Sequence, residues 1–214
     1  DEQTGKASGV TVIDANTKEK RSYQARVVFL CASALGSVQI LLNSKSKTFP
    51  NGIANSSGAV GHYIMDHYMG VFASGEVLGL QDKFSYGRRP IATYIPNYRH
   101  DKTSDVDFVR GYGYQTTASS RPDTGTTARS VGIGSEVKLQ AKQPKPWEFK
   151  ALMYGEILPY FDNAASLHPT KTDQWGLPQL HIDAQIRDNE RQMIEQASID
   201  IEEMLKVGGC SNIK

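Results

Sequence analysis

Apolar and polar positions change rhythm several times along the 214-residue chain, and each rhythm predicts a different element. Gly9–Asp14 is short and β-branched, which favours a strand. The polar stretch Ala15–Lys20 suits a turn and Arg21–Ala25 a returning strand, so the opening predicts a hairpin. Arg26–Ala32 reads Arg-Val-Val-Phe-Leu-Cys-Ala, an apolar run without alternation. Such a run predicts a strand buried on both faces, as in a parallel sheet covered by helices. Ser33 suits a helix N-cap. Leu35, Val38, Gln39, Ile40, Leu41 and Leu42 then lay a stripe on a helix ending near Ser44. Strand, small-residue turn and helix together predict a βα unit of a doubly wound sheet.

Residues 45–61 are rich in Ser, Asn, Gly and Pro and predict an irregular connection. Alternation then appears in 71–77, 91–95, 106–117 and 149–158, which predicts antiparallel strands and a second domain. Ser119–Gly134 reads as a long surface loop, and long loops are often functional. Asp173–Pro178 carries a turn signal and Gln179–Ile186 a strand. Asp188 can cap a helix on which Met193, Ile194, Ala197, Ile201, Met204 and Leu205 recur at helical spacing, stopped by Gly208 and Gly209. The expected fold class is α/β plus α+β. A partial doubly wound unit and its connection occupy residues 1–68. An antiparallel-sheet domain with helices occupies 69–214.

Composition narrows the function more than the fold. Hydrophobic residues make up 39% and charged residues 22%, with a net charge of +1. That balance gives no bulk electrostatic reason for nucleic acid or an anionic membrane as partner. The basic residues are scattered apart from Arg88-Arg89, which suits a surface turn. Cys31 and Cys210 are the only cysteines, so no disulfide framework or zinc spacing exists, and Cys31 in its apolar run is expected to be a buried free thiol. No apolar run approaches the ~20 residues of a membrane span. The chain opens on Asp1 and a polar stretch without a signal-peptide pattern, so its compartment is not defined and a preceding segment is expected.

Four constellations could carry chemistry. His62, Asp66 and His67 cluster as metal ligands do, but the two histidines are five apart and no third ligand of suitable spacing follows. Capping a turn is their more ordinary role, and a small metal-dependent hydrolase is the weaker alternative. Ser33 lacks the flanking glycines of a nucleophile elbow. Asp105 with Asp107, and Glu202 with Glu203, suit solvated faces. No G-x-G-x-x-G occurs. Even so, Ala32, Ser33 and Ala34 are small enough for a ligand to approach a helix N-terminus.

Taken in order, the segments resemble the glucose–methanol–choline family of FAD-dependent oxidoreductases. Ala7-Ser8-Gly9-Val10 followed by Ala25–Ser37 is similar to the family's "A-x-GV … A-K-x-V-I-L-A-A-G-A-x-x-S" stretch. Leu41–Ser44 is similar to its "LLLxS", and Gly58–His67 to its "GVGRNLxDH". Leu158-Pro159, Asn163, Asp173, Gly176 and Pro178 resemble its "LP…N…D…G-x-P" segment. Two positions depart: Ala-Gly at the cofactor-facing turn is Ala32-Ser33 here, and Arg-Asn is His62-Tyr63.

The resemblance implies oxidation of an alcohol, sugar or polyol with hydride transfer to FAD. It assigns Ala32, Ser33, Asp66 and His67 to the cofactor and Met69 and Glu156 to the substrate. It assigns no catalytic residue to this stretch: the phosphate loop would precede Asp1 and the catalytic histidine follow Lys214. These residues alone are then expected to be inactive and to bind FAD poorly. The electron acceptor is undefined. A non-catalytic binding module is the other alternative, and the apolar run Val27–Leu30 argues against it, because a lone βα unit cannot bury both faces of its strand.

Overall fold

The computed structural model describes residues 1–81, 83, 92–97, 99, 105–120, 134–142 and 146–214, with backbone alone for 140–142. The Arg88-Arg89 turn and most of the 119–134 loop lie outside the described residues. Ten strands and three helices follow in chain order among those described. They are β1 (Gly9–Ile13), β2 (Lys20–Gln24), α1 (Ser33–Asn43), β3 (His67–Tyr68), β4 (Phe72–Val77), β5 (Thr93–Ile95), β6 (Gly113–Ser119), α2 (Ser135–Lys142), β7 (Trp147–Glu156), β8 (Ala164–Thr172), β9 (Pro178–Asp183), α3 (Asp188–Val207) and β10 (Cys210–Ser211). All strand pairs among them are antiparallel. The fold is mixed, with antiparallel sheets and three helices.

Two compact units form. One comprises Asp1–Met65 and Pro159–Gln185, the other Asp66–Leu158 and Ile186–Lys214. The sequence pattern placed a single boundary after residue 68; the compact units change over at 65/66, 158/159 and 185/186.

The first unit holds two hairpins and α1. In β1–β2 the turn is set by Asp14, whose Oδ1 accepts the N–H groups of Asn16 at 3.0 Å and Thr17 at 2.9 Å. In β8–β9 Asp173 plays the same part toward Trp175 and Leu177, with Gly176 at φ 83° completing the turn. α1 packs on β8 and β9, and Gln39 Nε2 donates to the Pro178 carbonyl at 3.1 Å. Asn163 is buried. Its Oδ1 accepts the Gln185 N–H and its carbonyl the Ile64 N–H, both at 2.9 Å. Gly61 runs so close to β8 that a Cβ there would lie 2.2 Å from the Ala165 carbonyl oxygen.

The expected strand at residues 26–32 is not formed. The segment has no regular secondary structure and no ladder partner among the described residues, and Val27 is 65% and Phe29 82% exposed. A strand apolar on both faces needs neighbours on both edges and cover on both sides. α1 is the one helix of this unit among the described residues, and it spends its stripe on β8 and β9. The doubly wound βα unit is therefore absent among the described residues. Cys31 is accordingly exposed rather than buried.

The second unit has a conventional core. Its six-stranded sheet runs β10-β4-β7-β6-β5, with β3 also paired to β7. Met193, Ala197, Ile201 and Leu205, four residues apart, form one stripe of α3 and bury against Val71, Ala73, Tyr112, Tyr114, Ala151 and Met153. Each large apolar side chain so buried contributes about 1.5–3 kcal/mol. Gly155 is needed beneath the helix, since a Cβ there would sit 2.5 Å from Met193 Sδ.

Among the described residues of this unit, the buried side-chain polar atoms are paired except Asn97 Oδ1. Tyr114 donates to the Ala197 carbonyl at 2.6 Å. Asp200 accepts a two-pronged Arg99 guanidinium at 2.7 and 2.9 Å, the Tyr112 hydroxyl at 2.6 Å and Gln196 Nε2 at 2.8 Å. At the start of α3 the N-cap is Arg187, not Asp188. Glu190 accepts the N–H groups of Arg187 and Leu158, both at 3.0 Å, and Asp188 pairs with Arg191 in the first turn. β6 begins at Gly113 rather than 106, because residues 107–110 bend and Arg110 and Gly111 take left-handed φ of 85° and 88°. Asp105 and Asp107 are thus exposed loop residues rather than a strand pair.

Candidate functional site

The two units present two candidate surfaces, one at the start of α1 and one on the open face of the large sheet. At α1 the N-cap is Ala32, and no side chain caps the helix. Ser33 does not cap as its residue type suggested. It is exposed and sits at φ 59°, in the left-handed region that favours glycine. Glycine would take this backbone conformation without the strain a serine bears. The first turn of α1 contains no acidic residue. Its leading N–H groups and the positive end of its dipole are available to an anion.

The sheet surface follows from register. Cross-strand neighbours in an antiparallel ladder share a face. Ala151, Met153 and Gly155 of β7 are buried on the α3 side, so Leu152, Tyr154 and Glu156 project to the other. Their ladder partners Phe72, Gln115, Gly113 and His67 join them there. Tyr94 pairs with Gln115 and leans across Gly113, where a Cβ would meet its hydroxyl at 2.3 Å. Gly113 therefore leaves the seat in which the Tyr94 ring lies.

One end of this face gathers ionisable groups. Glu156 is bound by Arg110 Nε at 3.1 Å and stands opposite His67 across β3–β7. The His67 ring meets the Tyr154 ring edge-on, with centroids 6.2 Å apart. Asp66 Oδ1 accepts the His67 backbone N–H at 2.7 Å and lies 3.9 Å from Nδ1, while the Asp66 carbonyl accepts the Ile157 N–H at 2.9 Å. Met69 is exposed just after β3. Of the residues the sequence singled out, His67, Asp66 and Glu156 are thus brought to one end of one sheet. Ala32 and Ser33 lie on the other unit.

Arg110, Tyr94 and Gln115 were missed. The phase of β7 could have shown that Tyr154 and Glu156 share a face, but nothing in the sequence marks Arg110 as their neighbour. Among the described residues no group of three or more His, Cys, Asp and Glu is placed to hold a metal. His62 is engaged elsewhere, stacked on Phe161 with centroids 4.0 Å apart. No described helix is long and apolar enough to cross a membrane.

Comparison with known proteins points to one class, the dehydrogenases. The chain is 30% identical over 202 residues to 2-methyl-1,2-propanediol dehydrogenase of Mycolicibacterium austroafricanum, covering 88% of this chain and 34% of that protein. It is 27% identical over 186 residues to the fructose dehydrogenase large subunit of Gluconobacter japonicus, covering 82% of this chain and 32% of that protein. The chain thus spans about a third of the length of the curated relatives it matches. No family model matches.

Proposed function

We propose that this chain is the part of an FAD-dependent oxidoreductase of the glucose–methanol–choline type that helps seat the cofactor and forms one wall of the substrate site. The substrate is an alcohol, sugar or polyol oxidised at a CH–OH group. The observation that carries the reading is the similarity to a diol dehydrogenase across 88% of the chain, joined to the sugar dehydrogenase match over nearly the same share.

The residues at α1 fit an anionic dinucleotide. Ala32, Ser33 and Ala34 are small, the helix start is uncapped and no carboxylate stands in its first turn. Bound flavin would supply hydride acceptance. The chain's own residues bind and orient. Ala32 and Ser33 approach the nucleotide, and Asp66 and His67 stand where the backbone enters the sheet. The face carrying Glu156, Tyr154, Gln115 and Tyr94, with Met69 beside β3, offers rings for the carbon skeleton and polar groups for hydroxyls. The Arg110–Glu156 pair fixes the Glu156 carboxylate, leaving its remaining lone pairs to accept a substrate hydroxyl.

The test is made on the full-length protein. As purified it should show flavin absorbance that bleaches when a 1,2-diol or fructose is added without oxygen. Ser33→Glu should lower flavin content by placing a carboxylate at the proposed phosphate approach. Tyr94→Ala or Gln115→Ala should raise KM with flavin content retained. A protein that carries no flavin and fails to bind added FAD would sink the reading.

A further inference from the structure

The first unit contains a cavity of about 330 Å³ that the oxidoreductase reading does not use. It opens between the end of α1, the 45–61 connection and β8. Leu42 and Val60 supply apolar wall, and Lys45, Asn51, His62 and Ser166 supply polar groups. No carboxylate lines it. Among the described residues, Lys45 Nζ, the Asn51 amide and the Ser166 hydroxyl make no hydrogen bond or ion pair.

His62 is the informative member. Its Nδ1 lies 2.7 Å from the Phe161 carbonyl oxygen, which can only accept. Nδ1 therefore carries the proton, and in the neutral ring Nε2 is left as a bare acceptor. Stacking on Phe161, with planes 7° apart, holds the ring in place. His62 also lines the cavity, and its bond to Phe161 leaves Nε2 as the ring nitrogen open to a ligand there. One cation, one imidazole, an amide and a hydroxyl thus line one partly apolar space, with no carboxylate among the described residues that line it.

We propose that this cavity binds a small hydroxy monocarboxylate. The carboxylate is neutralised by Lys45 and hydrogen-bonded by Asn51 or Ser166. The hydroxyl donates to His62 Nε2. The short carbon chain lies on Leu42 and Val60. A phosphate dianion fits less well, because Lys45 is the one Lys or Arg among the described lining residues and the apolar wall gives the further charged oxygens no partner. The proposal does not depend on the dehydrogenase reading.

The 214-residue chain with 15N-labelled histidine is titrated with lactate, propionate and inorganic phosphate, following the His62 ring nitrogens by NMR. Lactate should move Nε2 saturably while Nδ1 stays hydrogen-bonded to Phe161. Propionate, lacking the hydroxyl, should bind about tenfold more weakly, the worth of one hydrogen bond. Lys45→Gln should weaken lactate by about tenfold or more, and Lys45→Arg should restore part of it. Lys45 is exposed and holds no described partner, so these variants leave the fold intact. Equal binding of lactate and propionate, phosphate binding as tightly as lactate, or an unchanged Lys45→Gln titration would each overturn the assignment, as would no saturable response.

Discussion

The two units use apolar side chains in opposite ways. In the second, a stripe of α3 meets the alternate positions of β4, β6 and β7, and the large apolar residues of that interface are buried. In the first, Val27, Phe29 and Leu30 of the richest apolar run lie exposed, as do Val10, Val12 and Tyr23 on the β1–β2 hairpin. Order there comes from polar turns built on Asp14 and Asp173 and from the backbone ties of Asn163. An apolar sequence pattern therefore reports the surroundings a segment needs, and only where those surroundings exist does it report burial. The largest predicted effect lies in the closed core. Ile201→Ala removes a side chain packed between helix and sheet and should cost about 2–5 kcal/mol, measured by urea denaturation followed through Tyr112 and Tyr114. A loss below ~1 kcal/mol would show that the two units are not distinguished by packing.

Next in size is a gain at the start of α1. Ser33 holds φ 59° and no side-chain hydrogen bond among the described residues rewards it. A left-handed non-glycine residue costs about 1–2 kcal/mol. Ser33→Gly removes that strain but loosens the unfolded chain, so the net stabilisation should be about 0.5–1 kcal/mol. The same denaturation curve reads it, and a destabilised variant would mean that the serine makes a contact the strain offsets.

The third prediction probes the exposed run directly. Phe29 is 82% exposed, so Phe29→Ala in the 214-residue chain should change stability by less than about 0.5 kcal/mol. The same aromatic truncation in a packed core costs about 3–5 kcal/mol. Under the proposed function Phe29→Ala should be far more costly in the full-length protein, where a covered strand is expected. Equal effects in both settings would argue that nothing covers the run.

Legibility in the sequence tracks this contrast. The α3 stripe and the alternation of β4 and β7 announced themselves because one face of each is buried and the other is not. β8 did not, because Pro169 and the polar residues 168–172 mask it, and its pairing with β9 shifts register between Leu167 and Thr172. β3 and β10 are two residues long and exist only through their partners. The strand expected at 26–32 was a true reading of composition and a wrong reading of this structure, because no strand pairs with either of its edges among the described residues. At the sheet surface, His67 and Glu156 were each visible as candidates. Their adjacency was not, because it is made by a ladder between distant segments.

The smallest effect tests whether local polar turns, rather than burial, order the first unit. Backbone N–H bonds from Thr17 and then Asn16 hold the Asp14 carboxyl below its ordinary 3.8. A depressed folded pKa means the turn contributes its stability above the ordinary carboxylate value and loses it as pH falls through the lowered one. In an NMR pH titration the Asn16 and Thr17 amides should therefore move together with the Asp14 carboxyl at a pH under 3.8. Met193 and Ile201 of the second unit should not follow that transition, since their order rests on packing. If the α3 core shifts in step with Asp14, the hairpin turn is not the local device that its hydrogen bonds describe. If Asp14 titrates at 3.8 or above, the turn bonds do not persist in solution, and order in the first unit must come from elsewhere.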